Sequence, residues 1–247
     1  MAEPAAPADL PSRLRAATTA RVGLGRIGTA LPTRASLEFQ LAHARARDAV
    51  QAGLPPGAFG ETIAGLPVIE VSSRAEGRSH YLQRPDLGRR LDPGDLAALP
   101  SGDPDLAIVI ADGLSATAVA THAVPLVGAL VARLPGWRMA PVVVAHQGRV
   151  ALGDEIGAAL GATLLVMLIG ERPGLSAADS LGAYLTWAPR PGLRDSARNC
   201  ISNIRPPHGL DYADAADQIA ALLQAARAAG RTGVLLKTAS ASLPAAD

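Results

Sequence analysis

LLVMLIGERPGLSAADSLGAYLTWAPRPGLRDSARNCISNI, residues 164–204, decides how this chain is read. Its opening run, Leu164 to Ile169, is apolar throughout and lies between Gly161 and Gly170. A run of that length between glycines suits a strand buried on both faces, as in a parallel sheet. It stops at Gly170-Glu171-Arg172-Pro173-Gly174. Open α/β sheets take ligands in the crevice outside the carboxyl ends of their strands. A turn in that place, with a carboxylate, a guanidinium and close-approach glycines, is set for a ligand. Taken alone, Glu171 has two roles open: pairing with Arg172 at a solvated turn, or accepting hydrogen bonds from a ligand.

Upstream, Leu106 to Ala111 reads as a strand ending at Asp112-Gly113, and Ser115 stands where it can cap a helix running to about Leu134. Val142 to Ala145 is a second strand, ending at His146-Gln147-Gly148-Arg149, and Asp154 to Leu160 is a short helix. Downstream, Cys200 to Ile204 reads as a further strand and Tyr212 to Ala229 as a closing helix. Strands alternating with helices predict an α/β fold over residues 105–247, a Rossmann-like parallel sheet with right-handed crossovers. Residues 1–104 read as a smaller, largely helical and irregular N-terminal region. It comprises an Ala/Pro-rich arm to about residue 20, a helix over 35–52, and an irregular connection over 53–104. A short apolar segment, Val68 to Val71, interrupts that connection.

Composition narrows the function classes. The 247 residues are 49% hydrophobic, enough for a globular core. Only 3% are aromatic, which leaves few stacking platforms for single-stranded nucleic acid. A net charge of +1 gives no basic field for phosphates or anionic lipid. The single cysteine, Cys200, excludes an intrachain disulfide framework and a cysteine-rich zinc site. The start lacks the basic segment and apolar core of a secretory signal, and no apolar run is of membrane-spanning length, so a cytoplasmic protein is expected.

Other candidates have plain structural readings beside the functional ones. Gly23-Leu24-Gly25-Arg26-Ile27-Gly28 fits the GxGxxG of dinucleotide sites, which needs a strand before it and a helix opening at it. The preceding residues make a poor strand, and Pro32 stands where the helix should run. A glycine-rich arm docking on a partner is the better reading. None of His43, His80, His122, His146 and His208 forms HxxxH or HExxH, so no metal site is expected. His146, at a strand end, is either a turn residue or a ligand contact. GxSxG is absent, and Ser115 reads as a cap before it reads as a nucleophile. Cys200 is either a nucleophile without an adjacent base or a small apolar residue.

Several stretches taken together point further: ARVGLGRIG (20–28), HARARDAV (43–50), RPDLGRRL (84–91), ADGLSA (111–116), GERPGL (170–175) and CISNI (200–204). In that order, over about residues 20 to 237, the chain resembles the small (light) subunits of ethanolamine ammonia-lyase. The resemblance implies an adenosylcobalamin-dependent lyase that converts ethanolamine to acetaldehyde and ammonia. It implies a catalytic large subunit, a TIM barrel, in a hetero-oligomer, with the small subunit's Rossmann-like domain closing over the cobalamin at their interface. It carries cofactor contacts onto Val150, Glu171 and Cys200, assigns this chain no catalytic or metal-ligating residue, and makes the region before residue 105 the part that docks on the large subunit. The setting it implies is the cytoplasm, with a bacterial microcompartment as one version. No DxHxxG surrounds any histidine, so no histidine here is placed by that motif to ligate cobalt, which fits base-on binding. From the residues alone, a stand-alone α/β module for a nucleotide or small ligand is the alternative, because such sheets host many functions.

Overall fold

The structure is a computed structural model that describes residues 10–18 and 20–236; residues 1–9, the start of the expected arm, and the end of the chain from Lys237 lie outside the described residues. The chain begins with helices α1 (Leu10–Ala17) and α2 (Thr33–Gln51). It continues through strands β1 (Thr62–Ile63) and β2 (Leu66–Ser72), helix α3 (Arg78–Gln83), a 3-10 turn at Leu87–Arg89 and helix α4 (Pro93–Ala98). Next come β3 (Leu106–Ala111), α5 (Ala116–Ala132), β4 (Val142–His146), α6 (Leu152–Ala159) and β5 (Leu164–Gly170). Two more strands, β6 (Leu181–Trp187) and β7 (Arg198–Ile204), precede the last helix, α7 (Tyr212–Ala229).

These elements form a mixed α/β fold on a seven-stranded sheet of order β1-β2-β4-β3-β5-β6-β7. Strands β2, β4, β3 and β5 run parallel, with Val109 opposite both Val143 and Met167. Every residue of β3 and β5 is buried, as their unbroken apolar runs require. The remaining pairings are antiparallel: β1 on β2, β6 on β5, and β7 on β6. An entirely parallel sheet was expected, and this half differs. β6 was not anticipated at all. Its sequence, LGAYLTW, has a glycine and two polar groups where an apolar run would signal a strand. Residues 53–104 also differ from the irregular connection expected there, since β2 joins the sheet beside β4. Pro67 and Glu70, both exposed, break its apolar pattern, and Val71 alone in this strand is fully buried.

Helices cover both faces. α5 and α7 pack on one side, burying Val119, Leu126, Leu130, Ile219 and Leu223 against β3, β5 and β6. α6 packs on the other, where Leu152 and Ile156 meet Val143, Leu165 and Met167. The starts of α5 and α7 follow their caps. Ser115 Oγ accepts from the Ala118 N–H at 3.2 Å, and Asp211 accepts from the Asp214 N–H at 2.8 Å. α5 leaves β3 for one face and α6 leaves β4 for the other, and β3 and β4 are neighbours. Their carboxyl ends therefore diverge, which opens a crevice between them.

Candidate functional site

Three turns border the crevice: Asp112-Gly113-Leu114 after β3, Gln147-Gly148-Arg149-Val150 after β4, and Glu171-Arg172 after β5. Gly113 and Gly170 let the first and third approach each other. Gly113 has φ +56°, and a Cβ on it would lie 2.3 Å from the Gly170 carbonyl oxygen. A Cβ on Gly170 would lie 2.1 Å from the Ser115 carbonyl oxygen, so side chains are shut out at both places.

A polar cluster forms the floor. Asp112 is fully buried, and its Oδ1 accepts from the Gly148 N–H at 3.1 Å. Its Oδ2 lies 3.5 Å from Arg78 Nη1. Arg78 also donates to the Val50 carbonyl at 2.7 Å and the Gly113 carbonyl at 2.8 Å, joining α2 to the turn after β3. The Tyr81 hydroxyl donates to the Gly148 carbonyl at 3.0 Å, and the Arg149 guanidinium stacks on the Tyr81 ring, 4.3 Å from its centroid. Burial pushes the Asp112 carboxyl up despite Arg78, lowers Arg78, and pushes Tyr81 up to about 12. Arg149 Nε is buried and has no hydrogen-bond partner. The donors that Arg149 can offer to a cavity it lines are therefore its terminal nitrogens.

Above this floor is a cavity of about 310 Å³ whose wall includes Leu114, Arg149, Val150, Ile169, Glu171 and Tyr184. Beside it runs a larger groove of about 710 Å³, sharing Arg149, Val150 and Tyr184 and extending to Arg89, Arg194 and Asp195. Val150 and Glu171, both singled out from the sequence, thus face one space. Cys200 reaches it through Tyr184, its partner across the β6–β7 ladder. Glu171 is anchored on its far side, where Ser180 Oγ and the Asn203 N–H (3.2 Å) donate to its Oε2. Gly182 makes room for it, since a Cβ there would lie 3.0 Å from Glu171 Oε1. Burial pushes Tyr184 up to about 12, with Cys200 and Glu171 adding to the effect. Cys200 is open to solvent on one side, yet partial burial pushes its thiol up, and Glu171 pushes the same way.

The other candidates fall elsewhere. The GxGxxG segment has neither a strand before it nor a helix opening at Gly28; α2 starts only at Thr33. His146 turns toward β2, with Nε2 3.3 Å from Glu70 Oε2. Ser115 is a cap and also donates to the Ala178 carbonyl at 2.8 Å. No group of three or more His, Cys, Asp or Glu suited to a metal occurs among the described residues. Sequence reasoning missed Arg78, Tyr81, Arg149 and Tyr184. Arg78 and Tyr81 lie in the stretch read as irregular, and Tyr184 lies in the unanticipated strand. The signal for both tyrosines was their rarity in a chain that is 3% aromatic.

A sequence profile for the ethanolamine ammonia-lyase light chain matches residues 8–237. The protein called ethanolamine ammonia-lyase small subunit in Ralstonia nicotianae is 52% identical over 237 residues, spanning 92% of this chain and 87% of its own length. Its namesake in Rhodopseudomonas palustris is 55% identical over 231 residues, spanning 91% and 88%. In Bradyrhizobium diazoefficiens the namesake is 54% identical over 249 residues, spanning 98% and 95%.

Proposed function

This chain belongs to the ethanolamine ammonia-lyase light-chain family, and we propose that its strand-end crevice closes over adenosylcobalamin at the interface with a catalytic large subunit. The observation that carries the reading is the meeting of Val150 and Glu171, at the ends of β4 and β5, with the Tyr184–Cys200 pair, within β6 and β7, around one crevice. These positions lie far apart in sequence, and a binding role gives them a common purpose. The sheet acts as a Rossmann-like scaffold: rigid strands hold the turns, and the turns hold the ligand.

The wall chemistry fits a corrinoid. Such a ligand has a broad apolar macrocycle rimmed by amide groups, which need both donors and acceptors. Val150, Leu114 and Ile169 supply apolar contact, Glu171 accepts, and Arg149 donates. The crevice is open, so a second chain must cover the exposed side of a macrocycle and exclude water there. A TIM-barrel large subunit fills that role. The segment before residue 105 docks on it: α1, α2 and the loop between them leave Leu14, Ile27, Leu31, Leu37, Phe39 and Leu41 exposed. When bound, adenosylcobalamin supplies the radical chemistry that turns ethanolamine into acetaldehyde and ammonia. The residues of this chain bind and orient the cofactor and shield it from water, and none of them is catalytic. No helix among the described residues is long and apolar enough to cross a membrane. The setting proposed is the cytoplasm, free or within a bacterial microcompartment.

The test is reconstitution with the large subunit. The complex should bind cobalamin and release ammonia from ethanolamine, and the chain alone should do neither at a measurable rate. Turnover by the isolated chain, or a complex that binds no corrinoid, would sink the reading.

A further inference from the structure

The stretch Arg84–Leu91, RPDLGRRL, has no part yet in the crevice, although it borders the 710 Å³ groove beside it. Its geometry is built around Arg149. The Gly88 carbonyl accepts from the Arg149 N–H at 2.7 Å. A Cβ on Gly88 would lie 2.9 Å from the Tyr81 ring and 3.0 Å from Arg149 Cγ, so glycine alone leaves room for the arginine to lie on the tyrosine. Arg89 then lines the groove from one side, and Arg194, in the turn before β7, lines it too.

Two of the three acids of the groove are already engaged. Both Asp154 oxygens are held by Arg198, at 2.6 and 2.7 Å. Glu155 pairs with Arg90 at 2.6 Å and accepts from the Leu91 N–H at 2.7 Å. The third, Asp195, is exposed and comes only to 3.7 Å of Arg198 Nε, beyond hydrogen-bond reach. Among the described residues, Arg89, Arg149 and Arg194 have no carboxylate within 4.0 Å. Two uncommitted guanidinium groups and a third stacked on Tyr81, all on one groove, form a site for an anion with several oxygens. The groove is continuous with the crevice through Arg149, Val150 and Tyr184.

We propose that Arg89, Arg149 and Arg194 bind a phosphodiester, and that its source is the nucleotide tail of the cobalamin held in the adjoining crevice. This rests on the corrinoid reading of that crevice. The peripheral side chains of cobalamin are neutral amides, and its phosphodiester is the one anionic group an arginine cluster would select.

The experiment titrates cyanocobalamin and dicyanocobinamide, which lacks the nucleotide and its phosphate, into the reconstituted two-subunit complex, with binding followed by equilibrium dialysis and absorbance. The wild-type complex should prefer cyanocobalamin. Arg89→Ala/Arg194→Ala, two exposed positions with no internal partner, should weaken cyanocobalamin binding about tenfold at low salt, the scale of a lost charge-assisted contact. Cobinamide affinity should stay unchanged in that variant. Added salt should narrow the gap between wild type and variant. Equal losses for both corrinoids, or no loss, would overturn the proposal. So would a drop in subunit association with corrinoid affinity per complex unchanged, because the arginines would then serve the partner. If inorganic phosphate binds the groove while the preference between corrinoids is the same in wild type and variants, the source is free phosphate and the proposal fails. A wild-type complex that binds both corrinoids equally removes this proposal alone; one that binds neither removes the corrinoid reading beneath it.

Discussion

Arg198 and Asp154 meet in a buried, two-pronged ion pair, Nη1 to Oδ1 at 2.6 Å and Nη2 to Oδ2 at 2.7 Å. The pair ties the first residue of β7 to the first turn of α6. It therefore joins the strand that carries Cys200 to the helix that follows Val150. Thr186 Oγ1 and the Leu193 carbonyl accept from the same guanidinium, at 3.0 and 3.3 Å.

Removing one partner of such a pair strands the other charge in the interior. Asp154→Ala should lower the unfolding free energy by about 3–5 kcal/mol, because Arg198 then stays buried without a counter-charge. Asp154→Leu/Arg198→Met should recover most of that loss, since the unpaired charge is gone. Urea unfolding of the three proteins measures both effects. A single variant within 0.5 kcal/mol of wild type, on the scale of ordinary surface changes, would show that the pair does not hold these elements together.

Arg78 and Asp112 make a second buried pair with a pH signature. Burial already raises the Asp112 carboxyl above its ordinary 3.8, and Arg78 opposes that rise. Arg78→Met removes the opposition, so the folded-state value climbs further. A group raised on folding contributes stability that is present below its unfolded value and is lost as pH rises through the folded one. Arg78→Met should therefore lose stability relative to wild type as pH rises from about 4 toward neutrality. Thermal unfolding across that range tests this. A difference from wild type that stays flat with pH would mean that Asp112 is not the group left exposed by the change.

The parallel centre of the sheet was legible because burial on both faces writes itself as an unbroken apolar run, as in Leu106–Ala111 and Leu164–Gly170. Ser115 and the start of α7 were legible because caps are local. β6 was not, since Gly182 is required by Glu171, a residue outside the strand in the turn after β5, and leaves a gap in the strand's pattern. The turn carrying Glu171 could be placed at a strand end, but Arg78 and Tyr81 could not be placed beneath it. Their partners, Asp112, Gly113 and Gly148, are met only across the fold. A local pattern records what a residue needs from its own element, and this floor is made between elements.

Glu171 has a structural and a ligand-facing role, and the choice of substitution separates them. Glu171→Ala would also strip acceptors from Ser180 and the Asn203 N–H, blurring any binding result. Glu171→Gln keeps an acceptor oxygen for those donors and removes the charge. The Gln variant should fold like wild type and bind cobalamin in the two-subunit complex roughly tenfold more weakly, in line with a lost hydrogen bond to a charged acceptor. Absorbance titration measures it. Unchanged affinity in a folded complex would rule out the contact.

Cys200 gives a chemical readout of the same wall, because it is the chain's only cysteine and any thiol modification reports on it alone. Its thiol is open to solvent but shifted upward by partial burial, with the Glu171 carboxylate pushing the same way. Only the thiolate is alkylated. A raised value leaves less thiolate at a given pH, so iodoacetamide should modify Cys200 more slowly than free cysteine at pH 8. Its rate should still be climbing where the free thiol, with a pKa of about 8.5, has levelled off. Glu171→Gln removes one source of the shift and should move the profile to lower pH. In the two-subunit complex, cobalamin should slow the modification, because the crevice that Cys200 reaches through Tyr184 is then filled. Mass spectrometry of the alkylated chain gives the rates. A profile that levels off with free cysteine, or a rate indifferent to cobalamin, would detach Cys200 from the site.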